Sequence, residues 1–502
     1  MADHDVVIVG AGSAGCVLAA RLSQDPNCSV TLLEAGPDYP DPATLPPEIA
    51  SGRSPAFTHD WGYRSEPGRL DRALDLYRGR LVGGCSATNA AVALRGAPGD
   101  YDQWAALGNP GWSFAEVLPF FRRLERDLDL DDQWHGQGGP VPIRRAGPGE
   151  LGPLQRGFLD ACAAAGHRRV TDHNAPGVIG AGPLPVNTVA GVRQSTALTY
   201  LAQARTRPNL AVRDGTLVDR LVVEGGRVVA VRLAEPEETL PAERVILAAG
   251  SFGSPAILLR SGIGPAGELA ALGIGVVADR PGVGANLVDH PGVSVVFPTG
   301  VPAPPEAPLF QTILTVSGAS TPSGPDLHVA LGHRAAEAPG DPAIAWLWVA
   351  LLKPRARGRL RLRSADPAAA PMIQPGLLDH PDDLAGLLTG VRIARRLART
   401  SPLAGLLGEE RSPGAAAADQ SAALVAAVHA DVDTYHHPVG TCRMGPADDP
   451  GAVVDAQARA HGIEGLWVVD ASIMPTIPAA NTNLPTIMVA ERCAAWLEAG
   501  DG

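Results

Sequence analysis

The first forty residues alternate between short apolar runs and polar breaks, and this pattern predicts a β-α-β unit. Asp5–Val9 is a continuous apolar run of the length typical of a buried parallel strand. Cys16–Leu22 has the spacing of a helix, and Ser29–Leu33 is a second apolar run. Because parallel strands need a crossover connection, these three segments predict the beginning of an α/β sheet.

Later apolar runs predict further strands. They are Asn209–Val212, Leu217–Val223, Val228–Leu233, Arg244–Ala248 and Leu466–Val469. The first three are predicted to form a meander, with the Gly-Gly pair at 225–226 as a hairpin turn. Helices are predicted over Asp382–Ala398, over Asp419–His429 with Asp419 as the N-cap, and over Thr486–Leu497.

Two stretches lack periodicity and are expected to join the regular elements. Gly36–Gly79 is rich in proline, glycine and charge, and predicts a long surface excursion such as a lid. Pro298–Pro325 is rich in proline and is predicted to be a loop or a domain boundary.

Composition and charge exclude several classes of protein. The 502 residues are 45% hydrophobic, which is enough for more than one domain. The net charge of −12 leaves no basic surplus for binding nucleic acid. The sequence predicts neither a signal peptide nor a transmembrane helix, whereas association with a membrane surface stays open. Six cysteines without Cys-x-x-Cys or metal-like spacing predict reduced thiols, a cytoplasmic location and no metal site.

A glycine-rich turn joins the first predicted strand to the first helix. Its residues are Gly10, Ala11, Gly12, Ser13, Ala14 and Gly15. The three glycines allow a tight turn, close approach of a pyrophosphate to backbone N–H groups, and close packing of the helix. Glu34 and Ala35 end the second strand, where a carboxylate can accept hydrogen bonds from ribose hydroxyls. This unit predicts dinucleotide binding but does not separate FAD from NAD.

Two further glycine-rich segments favour a large cofactor. The segment 79–89 contains Val82, Gly84 and Asn89, and Ala90 follows it. Its backbone can approach a flat or phosphate-bearing ligand, and Asn89 can donate to a polar heterocycle; the alternative is a structural loop packed on the first turn. Ala249 and Gly250 precede an apolar helix that either braces the cofactor or simply packs on the sheet.

The last seventy residues pair a histidine with an asparagine. His437 lies in a Tyr-His-His-Pro-Val-Gly-Thr run, and Asn481 follows 44 positions later. A neutral imidazole can take a proton from an alcohol while a carboxamide holds the oxygen. His436 is excluded as the base because adjacent side chains of an extended segment point to opposite faces.

Polar residues near the last predicted strand have two interpretations each. Asp470 and Ala471 follow that strand, where a carboxylate can bond the sugar chain of a cofactor. The alternative for Asp470 is a helix N-cap, and the two roles can coexist. Asn481 and Asn483 lie in a loop bounded by prolines and are either part of the site or turn formers.

Together these segments resemble the glucose-methanol-choline (GMC) oxidoreductase family from Val6 to about Trp496. Residues 7–36 resemble the FAD-binding β-α-β unit of the family. Residues 79–102 and 250–264 resemble its two signatures, and residues 437–445 and 470–475 resemble its C-terminal active-site blocks. The resemblance implies His437 as the catalytic histidine and Asn481 as its partner. It also places the backbone of Val218 against adenine and Trp61 in a lid near the cofactor.

The resemblance implies an α/β (α+β) fold with a discontinuous, Rossmann-like FAD domain and an inserted substrate domain built on an antiparallel sheet. The FAD domain is expected at 1–150, 192–294 and 428–502, and the substrate domain at 151–191 and 295–427. Some family members bind FAD covalently through a histidine just before the flavin-contacting asparagine. Thr88 stands at that position, which predicts non-covalent FAD. Ala90 and the 4% aromatic content argue against choline as the substrate.

The expected reaction is oxidation of a primary alcohol, such as an aryl or furanic alcohol, to the aldehyde. A hydride would pass to flavin N5 with His437 as the base, and the electrons would pass to O2, a quinone or another carrier. Two alternatives stay open: a lyase on the same fold that uses His437 as acid and base, and an NAD-dependent reductase. The oligomeric state is not indicated.

Overall fold

The computed structural model describes residues 5–303, 307–318, 324–336, 341–414 and 416–500. Its strands are β1 Val6–Val9, β2 Val30–Leu33, β3 Glu125–Asp127, β4 Val141–Ile143, β5 Gly180–Pro183, β6 Thr188–Val189, β7 Val192–Arg193, β8 Leu210–Arg213, β9 Leu217–Glu224, β10 Arg227–Glu235, β11 Glu238–Pro241, β12 Arg244–Leu247, β13 Ile263–Gly264, β14 Ala278–Asp279, β15 Pro291–Thr299, β16 Phe310–Val316, β17 Leu327–Arg334, β18 Ala343–Leu351, β19 Arg359–Arg361, β20 Met372–Gln374, β21 Asp433–Thr434 and β22 Leu466–Val468. Its α-helices are α1 Ser13–Leu22, α2 Pro47–Ala50, α3 Cys85–Thr88, α4 Pro98–Ala106, α5 Phe114–Leu124, α6 Pro153–Ala164, α7 Ala202–Ala204, α8 Gly250–Arg260, α9 Ala266–Ala271, α10 Pro381–Ala398, α11 Ala422–Asp431 and α12 Asn483–Glu498.

A parallel sheet with the strand order β22-β12-β1-β2-β8 brings the two ends of the chain together. Every neighbouring pair in it is parallel. β1 and β2 are buried along their whole length, which is why their sequences are continuous apolar runs. α1 connects these strands and packs against α12, so the first and last elements share one hydrophobic core. This arrangement confirms the predicted α/β fold.

β8 corrects one detail of the predicted topology. Its run was expected to open a meander, but Leu210 pairs with Val30 and Arg213 with Leu33 in the parallel sheet. The meander consists of β9, β10 and β11 instead. A short apolar strand fits either sheet, so its local sequence cannot select the partner.

The second large sheet is antiparallel and has the order β21-β15-β18-β17-β16-β5. It packs against α6 and α10 and forms a hydrophobic core distinct from that of the parallel sheet. The predicted antiparallel sheet is therefore confirmed. β15 begins at Pro291 and β21 lies at Asp433–Thr434, a few residues outside the ranges expected for the substrate domain. Where one domain ends and the other begins stays a prediction.

Two local predictions are wrong. The proline-rich stretch 298–325 was expected to be a loop, but it includes β16, whose inner positions are buried in the antiparallel sheet; residues 304–306 and 319–323 of that stretch lie outside the described residues. α11 begins after Ser421, whose hydroxyl accepts from Leu424 N–H, and not after Asp419. A serine caps as well as an aspartate, and the Asp419 carboxylate is bonded to Arg395 instead.

In the part of the chain that the structure describes, no helix is both long enough and apolar enough to cross a membrane. All six cysteines are free. Burial raises the pKa of Cys16 and Cys162 to about 12, so these thiols behave as small apolar side chains.

Candidate active site

A cavity of about 530 Å³ opens where the parallel strands end and the antiparallel sheet faces them. Val9, Glu34 and Asp470 stand at the carboxyl ends of β1, β2 and β22, while Phe310 and Trp348 reach it from β16 and β18. The predicted lid segment 36–79 adds aromatic side chains to its wall. Ligands of open α/β sheets bind at this edge, and the volume is that of a ligand pocket.

Most of the predicted site residues line this cavity. They are Gly10, Gly12, Ser13, Ala14, Glu34, Ala35, Trp61, Gly84, Asn89, Ala90, Val218, Ala249, His437, Asp470, Ala471, Asn481 and Asn483. Gly15 and Val82 do not line it and are buried behind it. A Cβ at Gly15 would lie 1.9 Å from the carbonyl oxygen of Gly10, so this glycine serves the close packing of helix on strand.

The two glycine-rich segments touch each other at the start of α1. A Cβ on Gly84, which has φ +49°, would lie 2.7 Å from the Cα of Gly12. Gly12 is the N-cap of α1, and no described side chain caps this helix end. The first N–H groups of α1 therefore face the cavity without a capping acceptor, which suits the pyrophosphate of a dinucleotide.

Glu34 fixes the two loops that flank the end of β2. Its Oε2 accepts from the N–H of Ala11 at 3.0 Å, and its Oε1 accepts from the N–H of Gly36 at 2.9 Å. Burial raises the pKa of this carboxyl to about 7 although these two bonds oppose the rise. Each oxygen keeps a lone pair for a hydroxyl donor from the cavity.

Asp470 is the N-cap of a short 3₁₀ turn, Ala471–Ile473, as the alternative interpretation predicted. Its Oδ1 accepts from Ser472 N–H, while Oδ2 accepts from Gly250 N–H at 2.8 Å and from the Ser254 hydroxyl at 2.6 Å. The carboxylate thus ties the end of β22 to the beginning of α8 beside the cavity. A role toward the cofactor stays a prediction.

His437 and Asn481, 44 positions apart in sequence, are in contact. Asn481 Nδ2 lies 3.1 Å from His437 Nε2, and His437 is 9% exposed. The backbone N–H of His437 donates to Asp289 Oδ1 at 2.8 Å, which fixes the backbone at this point. Burial, followed by the nearby His290 and Arg78, holds the pKa of His437 well below its usual range. The imidazole is therefore neutral and able to accept a proton.

His436 and His437 do not lie on opposite faces of an extended segment, so this prediction is wrong. His436 has a left-handed backbone, φ +62°, so the segment is not extended there, and both histidines line the same cavity. Their contacts distinguish them instead. The ring of His436 meets Tyr77 edge-on with centroids 5.4 Å apart, whereas only His437 bonds to Asn481.

Three residues that lie near His437 were not identified from the sequence. Asp289 accepts from the backbone N–H of His437, His290 places its Nδ1 3.1 Å from Nδ1 of His437, and the ring centroid of Tyr435 lies 4.4 Å from that of His437. The Asp-His-Pro run at 289–291 repeats the His-Pro pair at 437–438. That repetition was the available signal, although sequence alone does not show that the two runs meet.

Another buried histidine, His135, lies in a charged cluster outside the cavity lining. His135 Nδ1 is 3.0 Å from Asp127 Oδ2 and 3.3 Å from Glu125 Oε1, and its Nε2 is 3.2 Å from Asp172 Oδ2. Arg145 pairs with both aspartates, and Arg95 pairs with Glu125. With His135 protonated, three cations balance three carboxylates. The carboxylates and the histidine have the atom types of a metal site, but the charges are already satisfied within the cluster.

Comparisons with known proteins assign this arrangement to a family. The models of the N- and C-terminal parts of GMC oxidoreductases match residues 4–292 and 354–490. These two ranges contain His437 and Asn481 as well as the first glycine-rich turn.

Curated relatives and solved structures cover almost the whole chain. A 5-(hydroxymethyl)furfural oxidase of Methylovorus sp. is 41% identical over 98% of this chain and 98% of its own. An oxygen-dependent choline dehydrogenase of Brucella anthropi is 36% identical over 98% of this chain and 95% of its own. The crystal structure of a pyridoxine 4-oxidase from Mesorbium loti has a TM-score of 0.92 and 33% identity, covering 99% of both chains.

Proposed function

This chain belongs to the GMC oxidoreductase family, an FAD-dependent family whose similar members oxidise alcohols, and from that premise we propose that it oxidises an aryl or furanic primary alcohol to the aldehyde with non-covalently bound FAD. The observation that carries the proposal is the neutral His437 in contact with Asn481, inside the cavity framed by α1, α8 and α12. When bound, FAD supplies the acceptor for the hydride of the alcohol carbon.

The residues that would hold FAD fit a dinucleotide. The uncapped start of α1 offers N–H groups, Glu34 offers carboxylate lone pairs, and the hydroxyl of Ser13 donates to Asn483 Oδ1 at 2.8 Å, which joins the starts of α1 and α12. Thr88 lines the cavity beside Asn89. A threonine hydroxyl does not form the histidyl bond of the covalent family members, which supports non-covalent binding.

His437 and Asn481 divide the work on the alcohol. An alcohol oxygen placed within hydrogen-bond reach of Nε2 of His437 also lies near the amide of Asn481, because these two groups are 3.1 Å apart. His437 would accept the hydroxyl proton, and Asn481 would donate to the alkoxide that forms. Asp289 holds the backbone of His437 in place while the proton moves.

Aromatic side chains support the substrate class. Phe57 and Tyr77 of the lid segment pack with centroids 4.5 Å apart, and Phe310, Trp348 and Tyr435 line the cavity from other elements. A flat aryl or furan ring can pack against such a wall while its CH2OH group reaches His437. The similar 5-(hydroxymethyl)furfural oxidase accepts an alcohol of this kind according to its name.

Anaerobic mixing of the yellow holoenzyme with a panel of primary alcohols tests the proposal. The expected result is loss of the oxidised-flavin absorbance with benzyl and furfuryl alcohols and formation of the aldehyde. Admission of air should restore the absorbance with peroxide if O2 is the acceptor, whereas an artificial dye should be needed if it is a carrier. Cleavage of a substrate without any loss of flavin absorbance would instead establish the lyase alternative, and no response to any alcohol would reject the proposed function.

A further inference from the structure

The two ring nitrogens of His437 have different partners. Nε2 faces Asn481 Nδ2, and Nδ1 lies 3.1 Å from Nδ1 of His290. The rings of His290 and His437 are almost perpendicular, with an interplanar angle of 86° and centroids 5.3 Å apart. His290 is 0% exposed and immediately precedes β15, so its imidazole cannot turn toward solvent.

A contact between two Nδ1 atoms constrains where the protons are. The hydrogen bond forms only if one nitrogen carries a proton and the other offers a lone pair. If the proton is on His437, its Nε2 is unprotonated and can act as a base. If it is on His290, Nδ1 of His437 is the acceptor, and a neutral His437 then carries its proton on Nε2, where it cannot accept one from an alcohol.

The partner of Nε2 of His437 favours the first arrangement. The amide N–H of Asn481 donates to Nε2 of His437, which calls for a lone pair there. The carbonyl oxygens of Leu352 and Pro478 favour the protonated form of His290, although its Nε2 has no hydrogen-bond partner among the described residues. The donors therefore point in one direction, from Asn481 to His437 and from His437 to His290.

Burial and nearby cations keep both imidazoles neutral. Burial, and then the cation of Lys353, lower the pKa of His290 to about 3. Burial is also the main cause that lowers the pKa of His437, and the cation of Arg78 acts in the same direction. Lys353 itself is bound to Asp100 Oδ1 and to the carbonyl oxygen of Ile477, both at 2.7 Å. Two neutral imidazoles in contact can share one proton, which a charged pair could not do without repulsion.

We propose that His290 is a positioning residue that holds the proton of resting His437 on Nδ1 and so keeps the lone pair on Nε2, where the alcohol hydroxyl takes the place of the Asn481 N–H. This inference rests on the proposed function. In the step itself the alcohol O–H bond breaks, its proton binds Nε2, and the oxygen keeps the electron pair as an alkoxide. His437 becomes an imidazolium whose Nδ1–H donates to His290, a charge-assisted bond that stabilises it.

Two substitutions at position 290 separate positioning from packing. His290→Asn can place an amide oxygen near the present Nδ1 and accept from His437, whereas His290→Leu has similar bulk but no acceptor. We expect the anaerobic rate constant of flavin reduction to fall on the order of 10²-fold in His290→Leu, less than the ~10⁴-fold that a wrong tautomer costs a serine protease. His290→Asn should keep the rate within about tenfold of wild type, and KM should change little in either variant.

Control measurements distinguish a positioning role of His290 from a packing role. Flavin absorbance and thermal unfolding show whether each variant keeps its cofactor and fold. Equal losses of rate in both variants, tracking their loss of thermal stability, would mean that His290 only packs, and wild-type rates in both would mean that it does not act on His437. Either result overturns the proposal.

A spectroscopic measurement is independent of turnover. In protein labelled with ¹⁵N-histidine, the signals of His437, assigned by their loss in His437→Gln, should show a protonated Nδ1 and an unprotonated Nε2 in the resting enzyme. In His290→Leu the Nε2-protonated form should appear. A resting His437 protonated on Nε2 in the wild type would refute the tautomer assignment even if alcohols reduce the flavin. Failure of every alcohol to do so would instead refute the proposed function and leave this measurement unaffected.

Discussion

His135 and His437 are both buried, yet their surroundings give them opposite charges. His135 contacts Asp127, Glu125 and Asp172. Burial alone would lower its pKa, but the hydrogen bonds with these carboxylates raise it to about 11. Among the described residues no carboxylate bonds to the imidazole of His437, whose side-chain partners are His290 and Asn481. One site therefore favours an imidazolium and the other a neutral imidazole.

The difference shows that burial by itself does not assign a role to a histidine. Desolvation favours the neutral ring at both sites, and the neighbouring groups decide whether the proton is nevertheless retained. The His135 cluster consists of matched charges, and the histidine in it is fully buried, as expected of a structural element. The His437 site is polar but uncharged at the ring and borders a cavity, as expected of a base that must accept a proton and release it.

The largest expected effect is on catalysis at His437. His437→Gln removes the base while retaining side-chain bulk, so flavin reduction by an alcohol should slow by about 10²–10⁴-fold. Stopped-flow absorbance under anaerobic conditions measures this rate, and the midpoint of urea unfolding should stay close to that of wild type. A variant that reduces its flavin at the wild-type rate would show that His437 is not the base.

The matched substitution at His135 should lower the stability of the protein and leave the rate of flavin reduction almost unchanged. His135→Gln leaves three buried carboxylates against two arginines, and breaking a buried ion pair in this way costs about 3–5 kcal/mol of unfolding free energy. Urea unfolding measures the loss, while the rate of flavin reduction per folded molecule should stay within a few-fold of wild type. Unchanged stability would mean that His135 is not charged in the folded protein.

The pH dependence of stability sharpens the same contrast. The pKa of His135 is raised by folding, so its contribution is fully present below about pH 6.5 and is lost as the pH rises toward about 11. The difference in unfolding free energy between wild type and His135→Gln should therefore be larger at pH 6 than at pH 9, decreasing by at most about 1.4 kcal/mol per pH unit. A difference that grows with pH would contradict the assigned charge.

The smallest expected effect is at His436. This ring lines the same cavity as His437 but bonds to neither Asn481 nor His290. His436→Phe should alter the rate constant of flavin reduction by less than about tenfold, because it changes the cavity wall and not the base. The apparent affinity for aryl alcohols, measured from the same traces, should change more than the rate constant. A loss as large as that of His437→Gln would identify His436 as a second proton acceptor.

Local sequence patterns were sufficient to predict much of the nucleotide-binding part of the fold. β1, β2, β12 and β22 are rich in apolar residues because both faces of these strands are buried, and Gly15 is required because a Cβ there would lie 1.9 Å from the carbonyl oxygen of Gly10. Such features depend on a few consecutive residues. β8 and β16 were misjudged because strand pairing joins residues that are remote in sequence.

Sequence alone determined the fold class, the dinucleotide-type turn and the pairing of His437 with Asn481, because each depends on residue types at short or recognisable spacing. The tertiary structure decided which groups set the charge of each buried histidine. His290 lies 147 positions before His437, and Asp172 lies 37 positions after His135. Only folding brings these groups within 3.3 Å, and at that distance in a desolvated interior the partner determines whether an imidazole holds its proton.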